Sequence, residues 1–150
     1  MIFQEIIGKT IDEISLGDKA YFSKTMSETD IYQFSAVTGD FNPAHVNEVY
    51  AEQTFFKKRI AHGMLTLSLV SNILGTQLPG PGTIFVSEAV QFKAPVYIND
   101  TIEAVVEITD KQPEKNRIFF EAYCINQNDQ VVLTAQGEVM PPKRRKVKDS

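Results

Sequence analysis

The sequence predicts an α+β domain in which one antiparallel sheet wraps a long, mostly apolar central helix. Two patterns predict it. In HGMLTLSLVSNILGTQL, residues 62–78, Met64, Leu65, Leu67, Leu69, Val70, Ile73 and Leu74 cover most of a helical circumference. A helix apolar all round is a buried one. Downstream, Ile102, Ala104, Val106 and Ile108 alternate with Thr101, Glu103, Val105 and Glu107, the period of a half-buried antiparallel strand. A one-sided sheet around such a helix satisfies both apolar surfaces at once.

The elements follow in order. KAYFSKT, 19–25, reads as a strand after the turn LGD. Ser27 with Asp30 three residues later resembles a capping box, and Gly39 is a C-terminal stop, so a short helix is predicted over about 28–38. Asn42 and Pro43 are a good N-cap and a good first helical residue, so AHVNEVYAEQTFF reads as a second short helix. KKRIA breaks that pattern, the apolar helix follows, and LPGPG at 78–82 ends it. TIFVSEAVQFKAPV, TIEAVVEIT, RIFFEAYCIN and VVLTAQGEVM read as four strands in a meander, with KQPEKN as a loop and QND as a hairpin turn. Thr66, Ser68 and Ser71 on the buried helix need polar partners inside.

Composition narrows the function classes. Apolar residues are 43% and charged residues 23%, a globular balance, with ten Phe and five Tyr in place of Trp. The single cysteine, Cys124, excludes an internal disulfide and fits a reducing compartment. The opening MIFQEIIGKTIDEISLGD carries early acids and no long apolar core, unlike a secretion signal, and no run is long enough to span a membrane. A cytoplasmic protein is the expectation. The last ten residues, PPKRRKVKDS, carry a net +4 against −4 for the whole chain, which leaves −8 on residues 1–140. An acidic body is not that of a nucleic-acid binder. Residues 1–140 are read as one domain and 141–150 as a basic, flexible tail.

The densest chemistry lies in TGDFNPAHVN, 38–47. On an unbroken helix Asp40 and His45 would point about 140° apart and would not cooperate. Proline fixes its own φ and pushes Asn42 to an extended conformation, which bends the chain and folds Asp40 back toward the start of the next helix. There the helix dipole disfavours imidazolium, so His45 stays neutral and able to take a proton, with Asp40 to orient it. The pair can activate a water. In IAHGML, 60–65, Gly63 opens the apolar helix, where free N–H groups and no side chain suit a developing oxyanion. His62 reads as structural, since its neighbours supply no acid. A water activator with an oxyanion donor suits conjugate addition of water to an α,β-unsaturated thioester, and equally thioester hydrolysis.

SAVTGDFNPAHVNEVYA, RIAHGMLTLSLVSNILG and FKAPVYINDTIEAVVEIT together resemble the MaoC-like family of R-specific enoyl-CoA hydratases, over about residues 15–140. The specific part is D-x-N-P-x-H combined with A-H-G-M-L. The resemblance implies a hotdog fold and a homodimer or larger homo-oligomer with sites at subunit interfaces. It also implies reversible syn hydration of a trans-2-enoyl-CoA to an (R)-3-hydroxyacyl-CoA, without metal or redox cofactor, coenzyme A being part of the substrate. By the same resemblance Asp40 and His45 are the catalytic pair, Gly63 donates its N–H to the thioester carbonyl, and Asn42 and Ser71 support the site. Leu74 lines the acyl pocket. An acyl-CoA thioesterase on the same fold, a dehydratase acting on carrier-protein thioesters and a non-catalytic acyl-thioester binder are the alternatives. A carrier protein would need a basic patch such as Lys57, Lys58 and Arg59.

Overall fold

In the computed structural model, which describes residues 5–144, the first strand β1 spans Lys19–Thr25 and the first helix α1 spans Glu28–Thr38. Ser27 Oγ accepts the Asp30 N–H at 3.1 Å and Asp30 Oδ2 accepts the Ser27 N–H at 2.9 Å, closing the capping box. Gly39, at φ 79°, ends the helix in the left-handed conformation that a residue without Cβ adopts freely.

The second helix is not continuous. It forms as α2, Pro43–Val46, and α3, Glu48–Glu52. Asn47 leaves helical geometry at φ −124°, ψ 108°, and its Oδ1 accepts the Tyr50 N–H at 3.0 Å. An asparagine side chain competes with the backbone for N–H groups, and here it restarts the helix as a cap.

The long helix α4 spans Gly63–Thr76. It is buried on one face rather than all round. Leu67, Leu69, Val70, Ile73 and Leu74 enter the core, while Met64 is 57% exposed and Ser68, Ser71 and Gly75 face outward. Ser68 and Ser71 therefore need no interior partner. Opposite the buried face stand Ile102, Val106, Ile118, Phe120, Leu133 and Val139 from the sheet.

That sheet holds β1, β2 (Ile84–Phe92), β3 (Thr101–Gln112), β4 (Arg117–Ile125) and β5 (Val131–Met140), in the order β1-β3-β4-β5-β2. All neighbours are antiparallel. The meander holds for β3, β4 and β5 only, because β2 pairs with β5 and not with β3. Pro95 explains where β2 stops short of Val96: it has no N–H for a ladder. Lys93 and Ala94 N–H still donate to Val132 O on β5, at 2.9 and 3.3 Å; the chain leaves the sheet at Pro95, and Ala61 N–H donates to Val96 O at 2.7 Å. β3 runs past the expected loop start to Gln112, with a bulge between Ile108 and Asp110. Val105, on the outward face, is 1% exposed. Its cross-strand neighbours there are Tyr21 and Tyr123, and aromatic pairs of that kind cover a β-branched residue between them.

Packing also continues beyond residue 140. Pro141 and Pro142 are buried, and Asn116 Nδ2–H donates to Pro141 O at 2.9 Å. Arg144 reaches Glu13 at 3.1 Å, while residues 145–150 of the expected tail lie outside the described residues. Among the described residues, no helix is long and apolar enough to cross a membrane. Cys124 is fully buried, which pushes its thiol up to about 12 and leaves it inert.

Glu88 on β2 is half-buried with Oε1 unpartnered, and desolvation raises its carboxyl from 4.5 to about 7. The folded state thus holds this proton more tightly than the unfolded chain does. Folding is unpenalised below the unfolded value, loses stability as pH rises through the interval, and carries the full penalty above about 7. Glu88→Gln therefore raises the melting temperature at about pH 8 and leaves it unchanged at about pH 4. An equal shift at both values would contradict the assignment.

Candidate active site

Two successive side-chain turns build the bend at 40–44. Asp40 Oδ1 accepts the Asn42 N–H at 3.1 Å, and Asn42 Oδ1 accepts the Ala44 N–H at 3.1 Å. Asn42 stands at ψ 125°, the extended value that a following proline demands. His45 N–H then donates to Asn42 O at 2.9 Å. The result brings Asp40 and His45 together. A carboxylate oxygen of Asp40, a ring nitrogen of His45 and a ring nitrogen of His62 all lie within 4.8 Å of one another.

His45 is 8% exposed, and its Nδ1 lies 2.7 Å from Ile60 O. A carbonyl only accepts, so Nδ1 carries the proton. In the neutral ring, Nε2 is then a bare lone pair. Burial, above all, holds His45 below its ordinary value; the Ile60 carbonyl opposes this, His62 adds to it, and Asp40 also opposes it. Burial thus does the work expected of the helix dipole. A four-residue helix such as α2 has too few aligned peptides to supply much of one.

His62 departs from the sequence reading in having Asp40 as a direct neighbour, chiefly through its backbone carbonyl. Its Nε2 is 3.0 Å from Asp40 O and 4.0 Å from Asp40 Oδ2. Its ring stacks on His45 with centroids 3.8 Å apart and planes at 28°. No spacing rule links residues 40, 45 and 62. The only sequence signal is a histidine sitting where the apolar helix begins. The trio has donor types that metals use, but His62 Nε2 spends its proton on Asp40 O, so the lone pairs do not converge on one point.

Gly63 follows His62 as the first residue of α4. Leu65 and Thr66 N–H groups both go to His62 O, which leaves those of Gly63 and Met64 without an acceptor among the described residues. A Cβ at Gly63 would lie 2.6 Å from Phe92 Cε1, so a side chain there would have to displace that ring. Gly63 lines an apolar cavity of about 490 Å³ with Phe55, Phe56, Met64, Thr66 and Phe92. Ile60 and Ala61 line it too, so the 60–63 segment joins this cavity to the Asp40–His45 pair, neither of which lines it. Ser71 is exposed on the outer face of α4 and Leu74 is in the core; neither borders the cavity in this chain. A concavity of about 510 Å³ between Gln91, Glu121, Tyr123 and Thr134 lies on the sheet surface and holds none of these groups.

Comparison with known proteins agrees with this architecture. Residues 13–129 match the family model described as MaoC like domain. The chain is 46% identical over 144 residues to the (R)-specific enoyl-CoA hydratase of Rhodospirillum rubrum, covering 96% of this chain and 99% of that protein. It is 39% identical to the 3-hydroxybutyryl-CoA dehydratase of Methylorubrum extorquens, covering 89% and 84%. Among solved structures, the unliganded R-hydratase PhaJ1 from Pseudomonas aeruginosa superimposes with a TM-score of 0.86 at 35% identity, covering 97% of this chain and 95% of that one. A five-stranded antiparallel sheet wrapped on one long helix, shared with these hydratases, makes this an α+β hotdog fold, and the chain belongs to the MaoC-like domain family.

Proposed function

We propose that this chain is an (R)-specific enoyl-CoA hydratase, adding water reversibly and syn to a trans-2-enoyl-CoA. The observation that carries the reading is that His45 keeps Nε2 free, with Nδ1 held by Ile60 O, while a ring nitrogen of His45 and a carboxylate oxygen of Asp40 lie within 4.8 Å of each other. Two acceptors at that spacing suit the two protons of one water. The water oxygen bonds to the β-carbon while one of its protons passes to His45 Nε2. The double-bond electrons move to the thioester oxygen, where the Gly63 N–H stabilises the enolate. The α-carbon then takes a proton from the same face, from the imidazolium just formed. Asp40 holds the other water proton in a hydrogen bond throughout, and it stays on the product hydroxyl. The reaction so drawn calls for no metal or redox cofactor, coenzyme A being part of the substrate.

The basic patch that an acidic carrier protein would need is reduced at Arg59, which weighs against that alternative. Of the basic candidates at 57–59, Arg59 is already held by Glu28 and by Glu48 at 3.0 Å, with Tyr32 at 3.0 Å. Its guanidinium is not available to an acidic partner. A buried free thiol at Cys124 suits a cytoplasmic setting.

The active form is read as a homodimer joined through β2. Both β1 and β2 are sheet edges. β1 carries Lys19 and Lys24, the kind of charge that blocks strand addition. β2 instead exposes Ile84, Phe85, Val86 and Phe92, beside the outward Met64 of α4. An apolar edge of nine residues next to an exposed helix face is the surface a second copy would cover.

Loss of enoyl-thioester absorbance with crotonyl-CoA tests the chemistry. Asp40→Asn and His45→Gln should each lower kcat by roughly 100-fold or more with the fold retained. Near-normal rates in both, or rapid thiol release from a saturated acyl-CoA, would overturn the reading. Light scattering should give twice the 16.9 kDa chain mass, and Val86→Lys should shift the particle toward the single-chain mass. A wild-type particle of one chain at micromolar concentration contradicts the dimer.

A further inference from the structure

His62 is 2% exposed and tied to three parts of the site at once. Its ring lies on His45, its Nε2 meets the Asp40 backbone carbonyl, and its own carbonyl accepts from Leu65 and Thr66 at the head of the helix that carries Gly63. The tautomer follows from the contacts. Asp40 O can only accept, so Nε2 is protonated, and Ser35 Oγ at 3.2 Å is a second acceptor of the same N–H. Nδ1 is then a buried lone pair with no partner. An unsatisfied buried nitrogen is costly. A residue needed only to fill this space against Phe34, 4.8 Å away, and His45 would be better as phenylalanine, which has no nitrogen to strand. The retained imidazole is explained by what its N–H holds.

Resting on the hydratase reading above, we propose that His62 is the positioning residue of the reaction: its N–H fixes the Asp40 backbone and its ring fixes the His45 ring, so that both acceptors address one water. The charged and titratable groups facing His45 are Asp40, from the loop after α1, and His62, from the residue before α4; Ile60 presents only its carbonyl. The stacked His62 ring thus also works against protonation of His45, adding to the effect of burial.

Two substitutions separate the two contacts. His62→Phe keeps the stacked ring and deletes the donor, whereas His62→Gln keeps an N–H near the Nε2 position and deletes the ring. KM for crotonyl-CoA should stay within about threefold of wild type in both. The kcat should fall about 10- to 100-fold in the Phe variant, the size of effect expected for a displaced catalytic group, and less in the Gln variant. The acidic limb of kcat/KM should move to higher pH in both, and so should the His45 titration midpoint followed by NMR. Equal kcat losses with an unmoved His45 midpoint, or wild-type kcat in His62→Phe, would overturn the proposal. Failure of wild type to hydrate crotonyl-CoA would sink the hydratase reading, while the His45 midpoint would still decide the positioning claim. The unmodified protein gives a further readout: imidazole nitrogen shifts must show His62 protonated at Nε2, and an Nδ1-protonated ring would refute the proposal without any variant.

Discussion

A peptide entering Pro43 cannot be helical, and the site follows from that constraint. Asn42 is forced to extended geometry, its side chain caps the Ala44 N–H, and the Asp40 carboxylate turns back onto the Asn42 N–H. Each turn covers two residues, so five residues of sequence become a loop whose two ends meet. The bend also sets His45 on the inner side of α2, where it is buried. Burial and the Ile60 carbonyl then choose its charge and its tautomer together.

The remaining task is to hold this loop against the rest of the molecule. Segment 60–63 does so from both directions. Ile60 takes the His45 N–H, and Ile60 N–H donates to Ala44 O at 3.2 Å. Ala61 is tied to Val96 at the exit from β2, and His62 reaches back to Asp40. Gly63 then starts α4, whose buried face is fixed by the sheet. The loop with the polar groups is therefore clamped to the most deeply packed helix, a rigid base for a site made of short turns.

Much of the fold was legible because the local signals had no competitor. The strand at 19–25, the helix at 28–38 with its capping box and glycine stop, and the strands at 117–125 and 131–140 obey local chemistry alone. Three features were not legible. The break at Asn47 depends on a side chain outcompeting its own helix. The position of β2 beside β5 is a long-range choice that periodicity does not encode. The outward face of α4 looks like core because Met64 and the small residues around it are apolar or neutral, and sequence does not say which side of the helix the sheet covers. In the site, proline punctuation made the Asp40–His45 meeting readable. His62 was not, since its partner lies 22 residues away and is a backbone carbonyl.

In the proposed reaction a proline-imposed bend presents an unprotonated His45 Nε2 to the same water as the Asp40 carboxylate. Nitrogen-15 NMR of the histidine rings at about pH 7.5 addresses it directly, since free and protonated ring nitrogens have well-separated shifts. The expected spectrum is that of a neutral His45 with Nδ1 protonated and Nε2 bare. A ring protonated at Nε2, whether as the other tautomer or as imidazolium, would contradict it.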